Sequence, residues 1–302
     1  MSREEFYNII KKTLMLFKPE EMVITFITVS KQNGTEWPVF MLSMPDITTS
    51  PFFFLEDLYN AYRRGRSIPD IIAGVIELSM NKNCAVIADE TDVLDYENIR
   101  KNLGLMVIDA TVNRECLENI VHENIEDLAL VPIIFINNQH DDECIKIKYE
   151  YLKVWWVTGF MVMEEAKKNA LHVMPLEVNQ KRNIRKEYLK PRSDGVYLPE
   201  EASKIFTISN NYHRYGASAV FYPCFLEGFS KGLGKDLFIL PISVDEIYII
   251  KDLGQDPVEL LRFVEDMHRT VVAPEDVLPD AVYYYSGSSG FRKILPIETK
   301  TE

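Results

Sequence analysis

The stretch that most limits the folds open to this chain runs from Ile205 to Ile250, IFTISNNYHRYGASAVFYPCFLEGFSKGLGKDLFILPISVDEIYII. An apolar run, Ile205 to Ile208, stops at a polar Asn210-Asn211 turn. Gly216 then opens a predicted helix with Val220, Phe221, Cys224 and Phe225 at helical spacing, and Gly232 and Gly234 supply its stop signals. Leu237 to Leu240 and Ile247 to Ile250 follow as an antiparallel pair turning through Ser243, Val244, Asp245 and Glu246. The order strand, helix, hairpin specifies architecture, and it contains no recognisable catalytic motif.

The same grammar recurs upstream. Ser2 and Glu5 form a capping box ahead of Phe6, Ile9, Ile10, Thr13, Leu14 and Phe17 on one helical face. Val23 to Ser30 and Trp37 to Leu42 flank Asn33-Gly34, which takes the positive φ angles of a type I′ hairpin turn at low strain. Ser50-Pro51 starts a helix that Gly65 ends, and Ser67 and Asp70 cap another with Ile71, Ile72, Val75, Ile76 and Leu78 as its buried positions. Asp95 to Leu103 reads as a helix and Leu105 to Ile108 as a strand. Leu128 to Ile136 pairs with Cys144 to Tyr149, with Pro132 pointing to an edge or a bulge. Further helices fall at Thr158 to Asn169 and Pro257 to Arg269, and a strand at Ala281 to Tyr285. The predicted class is α+β, antiparallel hairpins with helices packed on them, in two subdomains at 1–180 and 200–286. Between them lies a basic linker or helix at 181–199, and 287–302 is read as a mobile tail.

Charge narrows the partners. Of 302 residues, 33 are Lys or Arg and 46 are Asp or Glu, for a formal charge of −13, which opposes nonspecific binding to phosphate backbones. Cys84, Cys116, Cys144 and Cys224 lack CxxC spacing and sit beside apolar residues, as buried thiols in a reducing compartment do. The amino terminus lacks a basic n-region and a cleavage site, and no apolar run reaches membrane-spanning length, so the expectation is a cytoplasmic protein with no membrane contact.

Chemistry is harder to find. There is no HExxH, no zinc-spaced Cys/His cluster and no calcium loop, so neither metal nor cofactor is expected. His122 and Glu126 would share a helix face at i, i+4, with Asp127 adjacent. Gly216-Ala217-Ser218-Ala219-Val220 begins like a nucleophile elbow but ends on Val, so Ser218 reads as a small helix residue. GFSKGLGKD has the wrong spacing for a phosphate loop, and Asp236 stands where Ser or Thr belongs. Trp155-Trp156 and Tyr283-Tyr284-Tyr285 read as core or interface residues.

Three cationic groups remain as candidates. Tyr212, His213 and Arg214, ahead of a helix start, suit an anion held by free backbone N–H groups, against the plainer reading of a polar turn. Arg63, Arg64 and Arg66 around Gly65 form a second anion contact, or a solvated helix end. Lys181, Arg182, Arg185 and Lys186 lead a segment that also holds Lys190 and Arg192 against the single acid Glu187, and they are the candidate partner surface.

Five blocks, LEDLYNAYRRGRSIPDIIAGVIEL, LALVPIIFI, YLKVWWVTGFMVMEEAKKNALHVMP, YGASAVFYPCFLEGFSKGLGKDLFILPISVDEIYII and VAPEDVLPDAVYYY, resemble a family of clostridial and related gut-bacterial proteins catalogued only as a domain of unknown function. The likeness spans Phe54 to Tyr285, with Cys224 standing where the resemblance leads one to expect Gly. It implies a bacterial cytosolic setting and carries over no catalytic residue. The function expected from the sequence is therefore binding or regulation without catalysis, through a protein partner or an anionic small molecule. The alternatives are a hydrolase or nucleotide-processing enzyme using His213 and Arg214, and an acidic mimic of nucleic acid.

Overall fold

The computed structural model describes residues 1–30, 32–43, 52–80, 95–137, 142–193 and 198–295. It is mixed, with antiparallel sheets and helices packed on them, as the patterning predicts. The chain divides into two compact units, Met1–Thr91 and Asp92–Glu302. That boundary lies well upstream of 181–199, because the end of β8 (Leu176–Asn183) is hydrogen-bonded to β9 (Lys204–Asn210) inside one sheet, so the basic segment is not a connector between separate bodies.

In the first unit, α1 (Arg3–Phe17) starts at the Ser2 capping box, with Ser2 Oγ accepting from Glu5 N–H and Glu5 accepting from Ser2 N–H. β1 (Val23–Ser30) and β2 (Glu36–Ser43) pair from Ser30↔Glu36 to Val23↔Ser43, so the loop is longer than a two-residue turn. Asn33 and Gly34 nevertheless hold φ of 57° and 66° at its tip. β3 (Phe52–Phe54) completes a three-stranded sheet, and α2 (Leu55–Arg63) and α3 (Ile68–Met80) follow. Ser50-Pro51, expected to start a helix, lies outside the described residues. Phe6, Ile10, Leu14, Phe40, Leu42, Leu55, Ile71 and Val75 form the core here, each worth about 1.5–3 kcal/mol over exposure to water.

The second unit carries two sheets. After the short α4 (Tyr96–Ile99) and a 3₁₀ turn, β4 (Leu103–Asp109) begins a four-stranded sheet. It continues through α5 (Arg114–Leu117), β5 (Glu123–Ile125), β6 (Leu128–Asn137) and β7 (Asp142–Lys146), with β6 in the centre. Pro132 is therefore not on an edge strand. It pairs with Leu105 on one side and on the other falls in the gap between β5 and β7, where no ladder bond needs its missing N–H.

Helices α6 (Tyr149–Trp155) and α7 (Gly159–Val173, capped by Thr158) lead into β8 of the six-stranded sheet. Its order is β13-β12-β10-β11-β9-β8, with β10 (Leu237–Pro241), β11 (Ile247–Lys251), β12 (Val282–Ser286) and β13 (Gly290–Leu295). Part of the expected mobile tail is thus strand β13, paired to β12 from Val282↔Leu295 to Ser286↔Gly290. The apolar runs of β10 and β11 are continuous because both sheet faces are covered. Ile239, Ile247, Ile249 and Tyr283 share a core with β4 and β6, while Phe238, Leu240, Tyr248 and Ile250 share one with α9 (Pro257–Thr270).

The helix predicted from Gly216 is broken. A 3₁₀ turn covers Gly216–Phe221, and α8 (Phe225–Leu233) starts only after Tyr222 turns extended, since Pro223 disfavours the helical region for the residue before it. Cys224 has φ 61°, the left-handed region that explains why Gly is the expected residue there.

Candidate functional site

Asn210, fully buried at the end of β9, builds the turn that carries Tyr212, His213 and Arg214. Its Oδ1 accepts from Tyr212 N–H at 2.9 Å, its Nδ2 donates to the Arg214 carbonyl at 2.7 Å, and its own carbonyl accepts from His213 N–H at 3.0 Å. Gly216 is needed next to it, because a Cβ there would stand 2.6 Å from the Asp245 carbonyl and 2.7 Å from Asn210 N. The ring of Tyr212 packs on Phe135, and the Arg214 guanidinium lies over Tyr215. His213 is left with its side chain 70% exposed, Nε2 3.4 Å from Glu177 Oε2. A carboxylate has arrived beside this histidine from strand β8, as acid/base work requires, but the imidazole itself stands open to solvent.

The basic segment lies against acids of the same sheet and helix. Arg182 donates to Glu246 at 3.2 Å and to the Tyr248 hydroxyl, with its guanidinium over the Tyr248 ring. Burial raises the Glu246 carboxyl above its ordinary range, and Arg182 works in the opposite direction. Arg185 meets Glu187 at 3.6 Å, and Lys190 meets Glu259 at 2.6 Å. Arg192 forks onto both oxygens of Asp252 at 3.0 and 3.1 Å. The hydrogen bond from Lys190 holds the Glu259 carboxyl below its usual range against the opposing effect of burial. Of the expected partner surface, Lys186 is exposed without an ion pair among the described residues, and the side chain of Lys181 lies outside them.

Arg63, Arg64 and Arg66 are arranged differently. Gly65 N–H bonds to the Tyr62 carbonyl and Arg66 N–H to the Ala61 carbonyl, a Schellman stop made possible by Gly65 at φ 100°. This fixes the corner after α2 and leaves all three arginines exposed, without an ion pair among the described residues.

A cavity of about 540 Å³, which no local sequence pattern marks out, opens where the turns of the four-stranded sheet meet the β12–β13 hairpin. Its floor is Asp127, whose Oδ1 accepts from the fully buried Tyr283 hydroxyl and whose Oδ2 meets Lys293 at 2.8 Å. The Asp127 and Lys293 side chains are only 13% and 18% exposed. Burial, then the Asp127 charge, pushes the Tyr283 hydroxyl far above its ordinary pKa. The walls include Arg114, Glu118, His122, Asn124 and Glu126. His122 Nδ1 donates to the Ile120 carbonyl at 3.0 Å, which leaves Nε2 as the acceptor of the neutral ring. His122 and Glu126 do not share a helix: β5 lies between them, and Ile125↔Leu128 pairing makes Glu126-Asp127 a two-residue hairpin turn. Glu126 takes φ 58° in that turn, where Gly is the unstrained choice. The helix face expected for His122 and Glu126 is therefore absent, although both residues line this cavity.

No group of three or more His, Cys, Asp or Glu among the described residues is placed to hold a metal ion, and no described helix is long and apolar enough to cross a membrane. Trp155 packs between Tyr96 and Tyr151, whereas Trp156, at φ 56°, is 92% exposed. Tyr283 belongs to the core, and Tyr284 donates to Asp252 at 2.8 Å. No curated protein and no solved structure matches the chain. Residues 3–287 match the model of a family of unknown function, DUF5688, and the chain belongs to that family.

Proposed function

We propose that the chain is a binding or regulatory protein without catalysis of its own, and that it engages an acidic partner protein through the corner Arg63, Arg64 and Arg66. The observation that carries this reading is the state of those three guanidinium groups: exposed, within four positions of one another, and without an ion pair among the described residues. Helix-dipole compensation accounts for Arg63, in the last turn of α2, but not for Arg66, which lies beyond Gly65. Arginine forks match carboxylates in pairs, and a rigid Schellman corner holds the backbone beneath them, which lowers the ordering cost of binding. The remaining chain is acidic, so attraction to a partner is local to this corner and falls with salt.

The full chain, immobilised, should capture a partner at low salt and lose it at high salt. Arg63→Glu, Arg64→Glu and Arg66→Glu together should abolish capture, while Lys186→Glu leaves it in place. Capture that survives the triple reversal, or the absence of any salt-sensitive partner, removes the reading. A hydrolase or nucleotide-processing site at His213 is supported by Glu177 but opposed by the exposure of the histidine; Glu177→Gln altering a hydrolytic turnover would favour it.

A further inference from the structure

We propose that the cavity in the second unit binds a small zwitterion of the free amino-acid type, its carboxylate held by Arg114 and its ammonium by Glu118 and Glu126. The size is right: about 540 Å³ lies within the roughly 300–1,000 Å³ of small-molecule sites. The charges are what select the ligand. Asp127 and Lys293 neutralise each other on the floor, and Tyr283 occupies the remaining Asp127 oxygen, so the floor offers no spare charge. On the walls one guanidinium and two carboxylates face the same space, none in an ion pair among the described residues. A ligand with only an anionic group would meet Arg114 but also two carboxylates. One with only an ammonium would leave Arg114 unmatched. A molecule carrying both groups satisfies both walls at once.

Two further features fit a ligand better than a solvated rim. Glu126 occupies a left-handed turn position that glycine would fill without strain, and such strain is concentrated where a side chain has to be aimed. His122, which lines the cavity, is tied through Nδ1 to the Ile120 carbonyl, and this leaves Nε2 as the ring nitrogen able to accept from an ammonium N–H. Asn124 offers an uncharged amide for the body of the ligand. This site is built from residues other than those of the arginine corner, and the inference does not depend on that corner.

The test uses the full chain and each standard L-amino acid in turn, by calorimetric titration up to about 10 mM, the range of weak small-molecule binding. The tightest is then compared with its decarboxylated amine and its deaminated acid. Each analogue should bind at least about tenfold more weakly, since a lost charge-assisted hydrogen bond is worth that much or more. Arg114→Gln should erase the preference over the amine, and Glu126→Gln or Glu118→Gln the preference over the acid. Glu118→Gln serves if the turn at Glu126 does not tolerate change. Arg114 is exposed, so its variant should keep the parent unfolding temperature. The proposal is overturned if no amino acid binds, if either analogue binds as tightly as its parent, or if Arg114→Gln leaves the preferences unchanged.

Discussion

The segment from Arg182 to Arg192 and the corner from Arg63 to Arg66 are both rich in cations, yet four carboxylates meet the first and none, among the described residues, meets the second. The difference is topological. The basic segment leaves β8 at the edge of the six-stranded sheet, and its backbone is tied to the end of β11 and the start of α9: Arg192 N–H bonds to the Gly254 carbonyl and Asp256 N–H to the Lys190 carbonyl. Two of the four acids it meets, Asp252 and Glu259, belong to that neighbouring framework, and a third, Glu246, stands in the turn before β11. The arginine corner instead closes a helix on its own local hydrogen bonds, and no acid among the described residues pairs with it. Charge density along a chain therefore says little about charge left on a surface, which depends on what long-range pairing brings alongside.

The largest effect expected from that contrast is on stability. Lys190→Glu with Arg192→Glu places like charges against Glu259 and Asp252, whose side chains are 9% and 15% exposed. Breaking pairs with a buried carboxylate costs several kcal/mol, and because Lys190 and Arg192 are themselves about half exposed the double reversal should cost about 3 kcal/mol. Reversing two arginines of the corner should change stability by less than about 0.5 kcal/mol each. Urea unfolding of the two double variants compares them directly, and equal losses would erase the distinction.

How much of this was legible beforehand follows the range of the interactions. Ser2 with Glu5, Asn33-Gly34, the Thr158 cap and the Ser243 to Glu246 turn are local devices, and each sits where the sequence places it. The helix predicted across Pro223 failed on a local rule that apolar spacing outweighed: the residue before proline leaves the helical region. Pro132 was misplaced because its neighbours β5 and β7 line up end to end, a fact of register and not of composition. The neutralised basic segment and the cavity could not be read at all. Lys190 and Glu259 are 69 residues apart, and Tyr283 and Asp127 are 156 apart. Only positive φ at Glu126 leaves a local mark on the cavity, and a Glu-Asp pair between apolar runs gives no sequence sign of it.

A smaller effect separates the two regions by pH. Lys190 holds the Glu259 carboxyl below its ordinary value in the folded chain. A depressed acid contributes stability that is fully present above its unfolded pKa, near 4.3, and is lost as pH falls through the folded value. Between about pH 6 and pH 3 the parent should therefore lose more stability than Lys190→Met, by about 1 kcal/mol for a half-exposed pair. Arg66→Met should track the parent at every pH. Thermal unfolding across that range decides it, and parallel curves for the parent and Lys190→Met would show that the Lys190–Glu259 contact contributes nothing.

The smallest effect tests whether pairing or burial is what distinguishes the two regions. Arg185 and Glu187 meet at 3.6 Å, but both side chains are largely exposed, 78% and 61%. In high dielectric the attraction at such a distance is about 1 kcal/mol before side-chain ordering is subtracted, so little net stability remains. Arg185→Ala should change the unfolding free energy by no more than about 0.5 kcal/mol, close to Arg64→Ala, although Arg185 is paired and Arg64, among the described residues, is not. Added salt at about 0.5 M should shrink even that difference, because exposed pairs are screened. A loss near that of Lys190→Met would mean that an ion pair in this segment stabilises the fold wherever it lies. Agreement with Arg64→Ala would mean that only the contacts reaching a buried carboxylate, at Glu259 and Asp252, anchor the segment, and that Arg185 is as available to a partner as the arginines of the corner.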